Sequence, residues 1–134
     1  MNVEDHDDRS QHVDDPAERL DVAVAALTAS LLSNETQQRT MLRLSLEEDK
    51  EVRGPLPLRQ GRAIAWLTEA LAPLADEMSD AQLHRLVLAI RSAVGIEALV
   101  WLTDVAGLSS EDAVELMRWS ASALLRTALD HAPP

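Results

Sequence analysis

The chain has 134 residues, of which 46% are hydrophobic, so it is long enough for one domain with a hydrophobic core. Its formal net charge is −11 and its twelve basic residues are scattered, which argues against a phosphate-binding surface of the kind that DNA-binding proteins use. Cysteine, tyrosine and phenylalanine are absent, which excludes disulfides and thiolate metal sites and disfavours aromatic platforms for single-stranded nucleic acids.

Residues 1–14 form a polar, acidic lead-in. They bury too little apolar surface to offset the entropy of ordering, so we expect this segment to be flexible and to hold no metal ion. The N-terminus carries no secretion signal, which indicates a cytoplasmic protein. The longest apolar-rich run, residues 86–102, contains Arg91 and Glu97 and is too short and too charged for a membrane span.

The spacing of apolar residues predicts an all-α domain over residues 15–131, with five helices and no strand. Helix-capping signals stand at Asp15, Asn34 and Ser79. Residues 54–57, of sequence GPLP, form the clearest loop, and Pro73 should kink the third helix or end it early. The helices are expected at residues 16–33, 35–47, 58–77, 83–106 and 110–129.

The helix predicted at residues 83–106 is apolar on two opposite sides. The first stripe consists of Leu83, Val87, Ile90, Val94, Ala98, Trp101 and Val105, and the second of Leu88, Ser92, Ile96, Leu99, Thr103 and Ala106. A surface helix needs one apolar stripe, so a helix with two must be covered twice. We therefore predict that the last two helices form a hairpin at Gly107 that closes a five-helix orthogonal or up-down bundle and joins a second copy in a four-helix bundle. A central helix buried within one monomer is the alternative.

The second stripe and the last helix supply the candidate interface of this homodimer. Trp119 lies on an otherwise polar face of its helix, and a large aromatic side chain there is typical of a protein contact. Gly95 inside a helix costs about 1 kcal/mol relative to alanine, so we expect a packing reason for it, such as close approach of another helix. The interface candidates are Leu88, Ser92, Gly95, Ile96, Leu99, Thr103, Trp119 and Leu125.

Trp66 and Trp101 are both predicted to face the core, where an apolar cavity between helices would hold a small apolar or amphipathic effector. Simple core packing of the same side chains is the alternative. The pocket candidates are Met41, Leu42, Leu46, Trp66, Leu67, Leu71, Ile90 and Trp101.

No catalytic or cofactor motif is present: the sequence has no glycine-rich phosphate loop, no His-Glu-x-x-His and no Gly-x-Ser-x-Gly. We therefore predict that the chain is not an enzyme and binds neither a cofactor nor a metal. Arg91 and Glu97 are charged residues in an apolar stretch, and at a spacing of six they would not face each other on one helix. We expect each to pair locally at the flank of an apolar face. The alternative is that one of them reaches across a subunit boundary or contacts a ligand.

Several segments resemble the C-terminal regulatory domain of tetracycline-repressor-family (TetR/AcrR) transcriptional regulators. The strongest are VGIEALVWLTD at residues 94–104, the corner at residues 107–109 and ELMRWSA at residues 115–121. Upstream segments at residues 15–20, 34–47 and 61–74 are similar too. The resemblance covers about residues 15–129. It implies an all-α domain that binds a small effector and dimerises through its last two helices, here residues 81–106 and 110–129.

In that family, effector binding changes the separation of two N-terminal helix-turn-helix heads and releases DNA. Such a head would precede residue 15, where this sequence has only a short segment that is rich in acidic residues and free of glycine. Direct DNA binding is therefore expected of a full-length parent and not of this chain alone. The prediction is an effector-sensing and homodimerisation domain of a TetR-like regulator. A stand-alone helical interaction module that pairs through the same apolar hairpin is the alternative.

Overall fold

The computed structural model describes residues 15–49, 51 and 61–134, and within these residues the chain is helical with no strand. The all-α prediction is confirmed. The lead-in at residues 1–14 and the loop at residues 54–57 lie outside the described residues. The helices are α1 (Pro16–Ser33), α2 (Glu35–Ser45), α3 (Gly61–Ala70), α4 (Asp80–Ala93), α5 (Ile96–Val100) and α6 (Ser110–Asp130), with a 3₁₀ turn at Ala72–Asp76 and a π-helical turn at Trp101–Val105.

The core lies between α1, α3, α4 and α6, which pack against one another. Helix α1 begins where the sequence predicts, because the Asp15 carboxylate accepts a hydrogen bond from the Ala17 amide at 3.1 Å. Its one buried polar side chain, Thr28, donates to the Val24 carbonyl at 2.9 Å, so its burial leaves no hydroxyl donor unsatisfied.

Helix α3 ends early, at Ala70, and the 3₁₀ turn that follows contains Pro73. The early end that Pro73 predicts is therefore confirmed, since proline lacks an amide donor and its ring clashes with the preceding turn. Arg19 of α1 donates to the carbonyls of Glu69 and Ala70 at 2.6 and 2.9 Å. These bonds satisfy carbonyls that the end of a helix leaves without an intrahelical partner.

The predicted helix at residues 83–106 is interrupted, so its prediction as one continuous helix is wrong. Helix α4 begins at the predicted Ser79 capping box and ends at Ala93, and Val94 and Gly95 then have extended backbones. Helix α5 follows for five residues and continues into the π-helical turn. The break changes which side chains face the core on either side of it.

The two apolar stripes exchange places at this break. Before it, the first stripe is buried at Val87 and Ile90, whereas Leu88 of the second stripe is exposed. After it, the second stripe is buried, as Ile96 and Leu99 show, and the first is exposed. The helical pair therefore covers a single core while leaving apolar side chains of both stripes on the surface.

Helix α6 begins after the predicted corner. Gly107 has a φ of 80°, a left-handed conformation that glycine adopts without a steric penalty, and Ser109 accepts a hydrogen bond from the Asp112 amide at 3.1 Å. The helix packs on α1 and α4. The side chains that it buries are Ala113, Met117, Ala121, Leu125 and Ala128.

Helix α2 lies on the outside of the bundle, and none of its residues is fully buried. Its Arg39 guanidinium makes two hydrogen bonds, of 2.8 and 3.0 Å, to the carboxylate of Asp104 in the π-helical turn. These bonds, with a further one from Thr103, lower the pKa of Asp104 below its ordinary value. The same bonds, with one to Glu35, raise the pKa of Arg39. A charge pair thus holds α2 where apolar burial contributes little.

We expect Asp104→Asn to loosen α2 without unfolding the bundle. The amide hydrogens of α2 should exchange about two- to fivefold faster, since an exposed ion pair contributes modestly and this helix has no buried side chain to hold it. Acidification should act in the same direction on the unaltered protein. Because the pKa of Asp104 is lower in the folded chain, its stabilisation is present above the ordinary aspartate pKa of about 4 and is lost as the pH falls further.

Hydrogen exchange followed by mass spectrometry, corrected for the pH dependence of intrinsic exchange, measures this effect. Asp21→Asn is the matched control, because it removes the 2.8 Å ion pair with Arg118 between α1 and α6, two helices that also share a buried face. Exchange in α6 should stay unchanged in that control. Unchanged exchange of α2 in Asp104→Asn would show that α2 is held by packing and not by its ion pair.

Candidate functional site

A cavity of about 360 Å³ opens between α1, α2, the start of α3 and the junction of α4 with α5. Its volume is at the lower end of the range for small-molecule sites. We call it the α1–α2 cavity. Its apolar wall consists of Leu27, Leu31, Met41, Ala63, Val94 and Ile96. Its polar wall consists of Ser30, Asn34, Gln37, Gln38, Arg62 and Arg91, with Gly95 beside it.

The ionisable side chains around this cavity are both basic. Acidic residues outnumber lysine and arginine by 23 to 12 in the whole chain, yet among the described residues no Asp or Glu lines the cavity, whereas Arg62 and Arg91 do. The guanidinium of Arg62 also lies 5.8 Å from the ring centre of Trp66, a cation–π contact. The lining is thus basic in an acidic protein, although the carboxylate of Glu97, which pairs with Arg91, offsets one of the two charges.

Arg91 pairs with Glu97 across the helix break, with nitrogen–oxygen distances of 2.9 and 3.4 Å. Residues six apart meet here because Val94 and Gly95 are extended, so the expectation that they would not face each other is wrong, while local pairing is what the structure shows. The Arg91 side chain is 13% exposed and that of Glu97 is 41% exposed. The arginine is therefore much less screened by solvent than its partner.

Gly95 is where this ion pair passes closest to the backbone. A Cβ atom built on Gly95 would overlap the Arg91 guanidinium and would lie 3.0 Å from the Glu97 carboxylate. The packing reason expected for this glycine is therefore found within the chain. Gly95 lines the α1–α2 cavity, and the structure corrects its assignment to a dimer surface.

A shallow groove lies on the opposite side of the same junction, between α4, α5, the π-helical turn and α6. Trp101 is 59% exposed along it and Leu116 is 41% exposed. Leu88 lies one turn before Ser92 of the groove, and Trp119, 63% exposed, lies one turn after Leu116. We call this surface the apolar face, defined by Leu88, Trp101, Leu116 and Trp119. The remaining groove residues are Ser92, Ala93, Glu97, Ala98, Leu102, Met117 and Ser120.

The structure does not bring the eight predicted pocket residues together, so the prediction of one cavity around Trp66 and Trp101 is wrong. Met41 lines the α1–α2 cavity, and Trp66 contacts Arg62, which also lines that cavity. Trp101 is on the apolar face because the helix break turns it outward. Leu42 and Leu46 border a separate depression on α2. Leu67, Leu71 and Ile90 are fully buried in the core.

The eight predicted interface residues divide in the same way. Leu88, Ser92 and Trp119 are exposed, in or beside the groove, and their place in an interface stays a prediction. Thr103 is half buried and donates to the Leu99 carbonyl at 2.8 Å. The structure corrects the assignment of three others to a dimer surface, because they are buried within the single chain: Ile96, Leu99 and Leu125.

Apart from Arg91, the polar residues of the cavity were missed as candidates, although the sequence contains a signal for two of them. Asn34 and Gln38 recur with Met41 at helical spacing, so amide side chains stand on the inner side of α2 and its start. Amides on the inner face of a helix indicate a polar cavity as readily as a core. The sequence gives no comparable signal for Arg62. The apolar pattern of α3 points to Trp66, four residues later, and not to the arginine.

No family model, no curated protein and no solved structure matches this chain. Within the described residues, no group of three or more His, Asp or Glu side chains could hold a metal ion.

The stretch Asp80–Val105 is long and apolar enough, by length and composition, to cross a membrane, with a mean hydropathy of 1.7 over its 18-residue window. This result differs from the sequence-based expectation for residues 86–102. The stretch is interrupted at Val94 and Gly95, and 33% of its window is buried within the chain. The large apolar side chains that this stretch leaves exposed in a single copy are Leu88, Trp101 and Val105.

Proposed function

We propose that this chain is the effector-sensing and homodimerisation domain of a TetR-like transcriptional regulator. The support is the resemblance of residues 94–121 together with two surfaces in the structure, a cavity for a small molecule and an exposed apolar face on the last helices. DNA binding would belong to a helix-turn-helix head in a full-length parent.

The observation that carries the proposal is the Arg91–Glu97 ion pair. Arg91 lines the α1–α2 cavity, and Glu97 lines the groove of the apolar face. A sensing domain needs a ligand to alter a distant contact through differential interactions. Here one ion pair joins the two surfaces, so a molecule that competes for Arg91 changes the surroundings of a carboxylate in the groove.

The occupant that we propose for the apolar face is a second copy of this chain. Tryptophan side chains are enriched at the energetically dominant centres of protein interfaces, and this face presents Trp101 and Trp119. Glu97 is the one ionisable residue among the described residues of the groove, so little charge would be buried there. Two chains of net charge −11 repel each other through their other surfaces, and this repulsion falls as salt rises.

Light scattering across a dilution series tests the proposal. We expect a dimer that persists to low micromolar concentration and whose dissociation constant falls as salt is added, because salt screens the repulsion while apolar contact remains. A monomer at all concentrations and salt conditions would contradict homodimerisation and favour an interaction module with a different partner.

A further inference from the structure

We propose that the α1–α2 cavity binds a small amphipathic carboxylate, whose charged group is held by Arg62 and Arg91 and whose hydrocarbon body lies against Leu27, Met41 and Ala63. The inference rests on the proposed sensing function and adds the chemical class of the effector. Three observations support it: the basic residues that line the cavity, its mixture of polar and apolar lining residues, and the ion pair of Arg91.

The charge of the cavity selects for an anion. Its ionisable lining residues within the described part of the chain are two arginines, although the chain as a whole is strongly acidic. The Arg91 side chain is only 13% exposed, so solvent screens its attraction for an anion weakly. A guanidinium also presents a planar fork of N–H donors that matches the two oxygens of a carboxylate.

The walls of the cavity select for a ligand with an apolar body. Leu27, Met41 and Ala63 are partly exposed apolar residues of its lining, and an inorganic anion would leave them without an apolar partner. The carboxamides of Gln37 and Gln38 also line the cavity and offer neutral N–H donors that can complete the hydrogen bonding of a carboxylate. A medium-chain fatty acid or a small aromatic acid has this combination.

The ion pair of Arg91 places a competitor beside the site. Glu97 accepts hydrogen bonds from both terminal nitrogens of Arg91, at 2.9 and 3.4 Å. A bound carboxylate would share or replace these hydrogen bonds. Removing the charge of Glu97 should therefore strengthen binding of the anion, an effect opposite to that of damaging the site.

Isothermal titration calorimetry with octanoate, octan-1-ol and octylamine tests the charge preference, because the three probes share one alkyl chain. The net charge of −11 attracts a cation at long range. We nevertheless expect octanoate to bind at least about tenfold more tightly than either other probe, as one charge-assisted hydrogen bond provides about this factor.

Three variants of the full chain locate the site. Arg62→Gln should weaken octanoate binding about tenfold, since it removes one guanidinium from the cavity. Arg85→Gln is the matched control, because Arg85 is exposed on α4 and does not line the cavity, and octanoate binding should be unchanged. Glu97→Gln should tighten binding severalfold, a gain that a merely structural role for Glu97 would not produce.

Equal affinity for octanoate and octan-1-ol, or equal effects of Arg62→Gln and Arg85→Gln, would overturn the anion site while leaving a hydrophobic sensing cavity in place. No change or a loss of affinity in Glu97→Gln would show that Arg91 does not receive the ligand. Failure of all three probes to bind would overturn the ligand class and the sensing role together. Dimerisation, measured by light scattering, would be unaffected by that result.

Discussion

Leu99→Asp should leave the chain largely unfolded, because the Leu99 side chain has no exposed surface in the folded domain. Truncating a buried leucine costs about 2–5 kcal/mol, and placing a carboxylate without a partner in the core adds several kcal/mol more. A domain of this size has about 5–15 kcal/mol of stability in all. Far-UV circular dichroism and thermal melting should therefore show loss of helix near room temperature.

Leu46→Asp is the matched control, because it introduces the same side chain at the end of α2, where Leu46 is exposed and does not line the groove. This variant should keep the helical spectrum and change the free energy of unfolding by about 1 kcal/mol or less. An interface role for Leu99, which the second apolar stripe suggests, predicts instead a folded monomer. A cooperative melt of Leu99→Asp close to that of the unaltered protein would restore that role.

Helix starts are the part of this fold that sequence reasoning predicts best, because their causes are local. Asp15, Ser79 and Ser109 each accept a hydrogen bond from an amide two or three residues later, as their positions before apolar runs indicate. The cap predicted at Asn34 is wrong, because its side chain accepts no hydrogen bond from α2 and donates instead to the Ser30 carbonyl at 2.9 Å. The early end of α3 at Pro73 is equally local, since it follows from the missing amide and the ring of proline. Neither prediction depends on what the helix packs against.

The break at Val94 and Gly95 has no such local cause. A glycine inside a helix costs about 1 kcal/mol, which tertiary packing readily outweighs, so the sequence is compatible with a continuous helix. The interrupted helix is favoured because the break allows Ile96 and Leu99 to enter the same core as Val87. The periodic pattern contains both stripes but does not say where the chain changes from one to the other.

The candidate site was unpredictable for a related reason. The α1–α2 cavity draws its walls from five helices, and Arg91 reaches Glu97 only after the break has brought them together. Trp66 and Trp101 look alike in an apolar pattern, yet one lies beside the cavity and the other on the opposite side of the α4–α5 junction. Contacts between distant residues decide this division, and helical spacing alone does not report them.

Trp119→Asp should abolish the proposed dimer at micromolar concentration while leaving the monomer folded. Trp119 is 63% exposed, so its loss removes little from the core of the single chain. Truncating an aromatic side chain at the centre of an interface typically costs 2 kcal/mol or more, which is about a thirtyfold or greater increase in the dissociation constant. A carboxylate in an apolar interface adds a desolvation cost to that loss.

Sedimentation velocity across a dilution series measures the change, with Leu46→Asp as the control. Leu46 is also highly exposed, but it belongs to the end of α2 and does not line the groove, so its replacement should leave the dimer intact. Equal weakening by both variants would mean that added negative charge, and not the apolar face, governs association. An unchanged dimer in Trp119→Asp would exclude Trp119 from the interface.

The melting temperature separates loss of the dimer from loss of the fold. Dimerisation stabilises the folded state by mass action, so the melting temperature of the unaltered protein should rise with its concentration. That of Trp119→Asp should not depend on concentration and should equal the value that the unaltered protein approaches on dilution. A lower value would show that Trp119 stabilises the monomer. The proposal that the apolar face binds a second copy of the chain would then lose its main support.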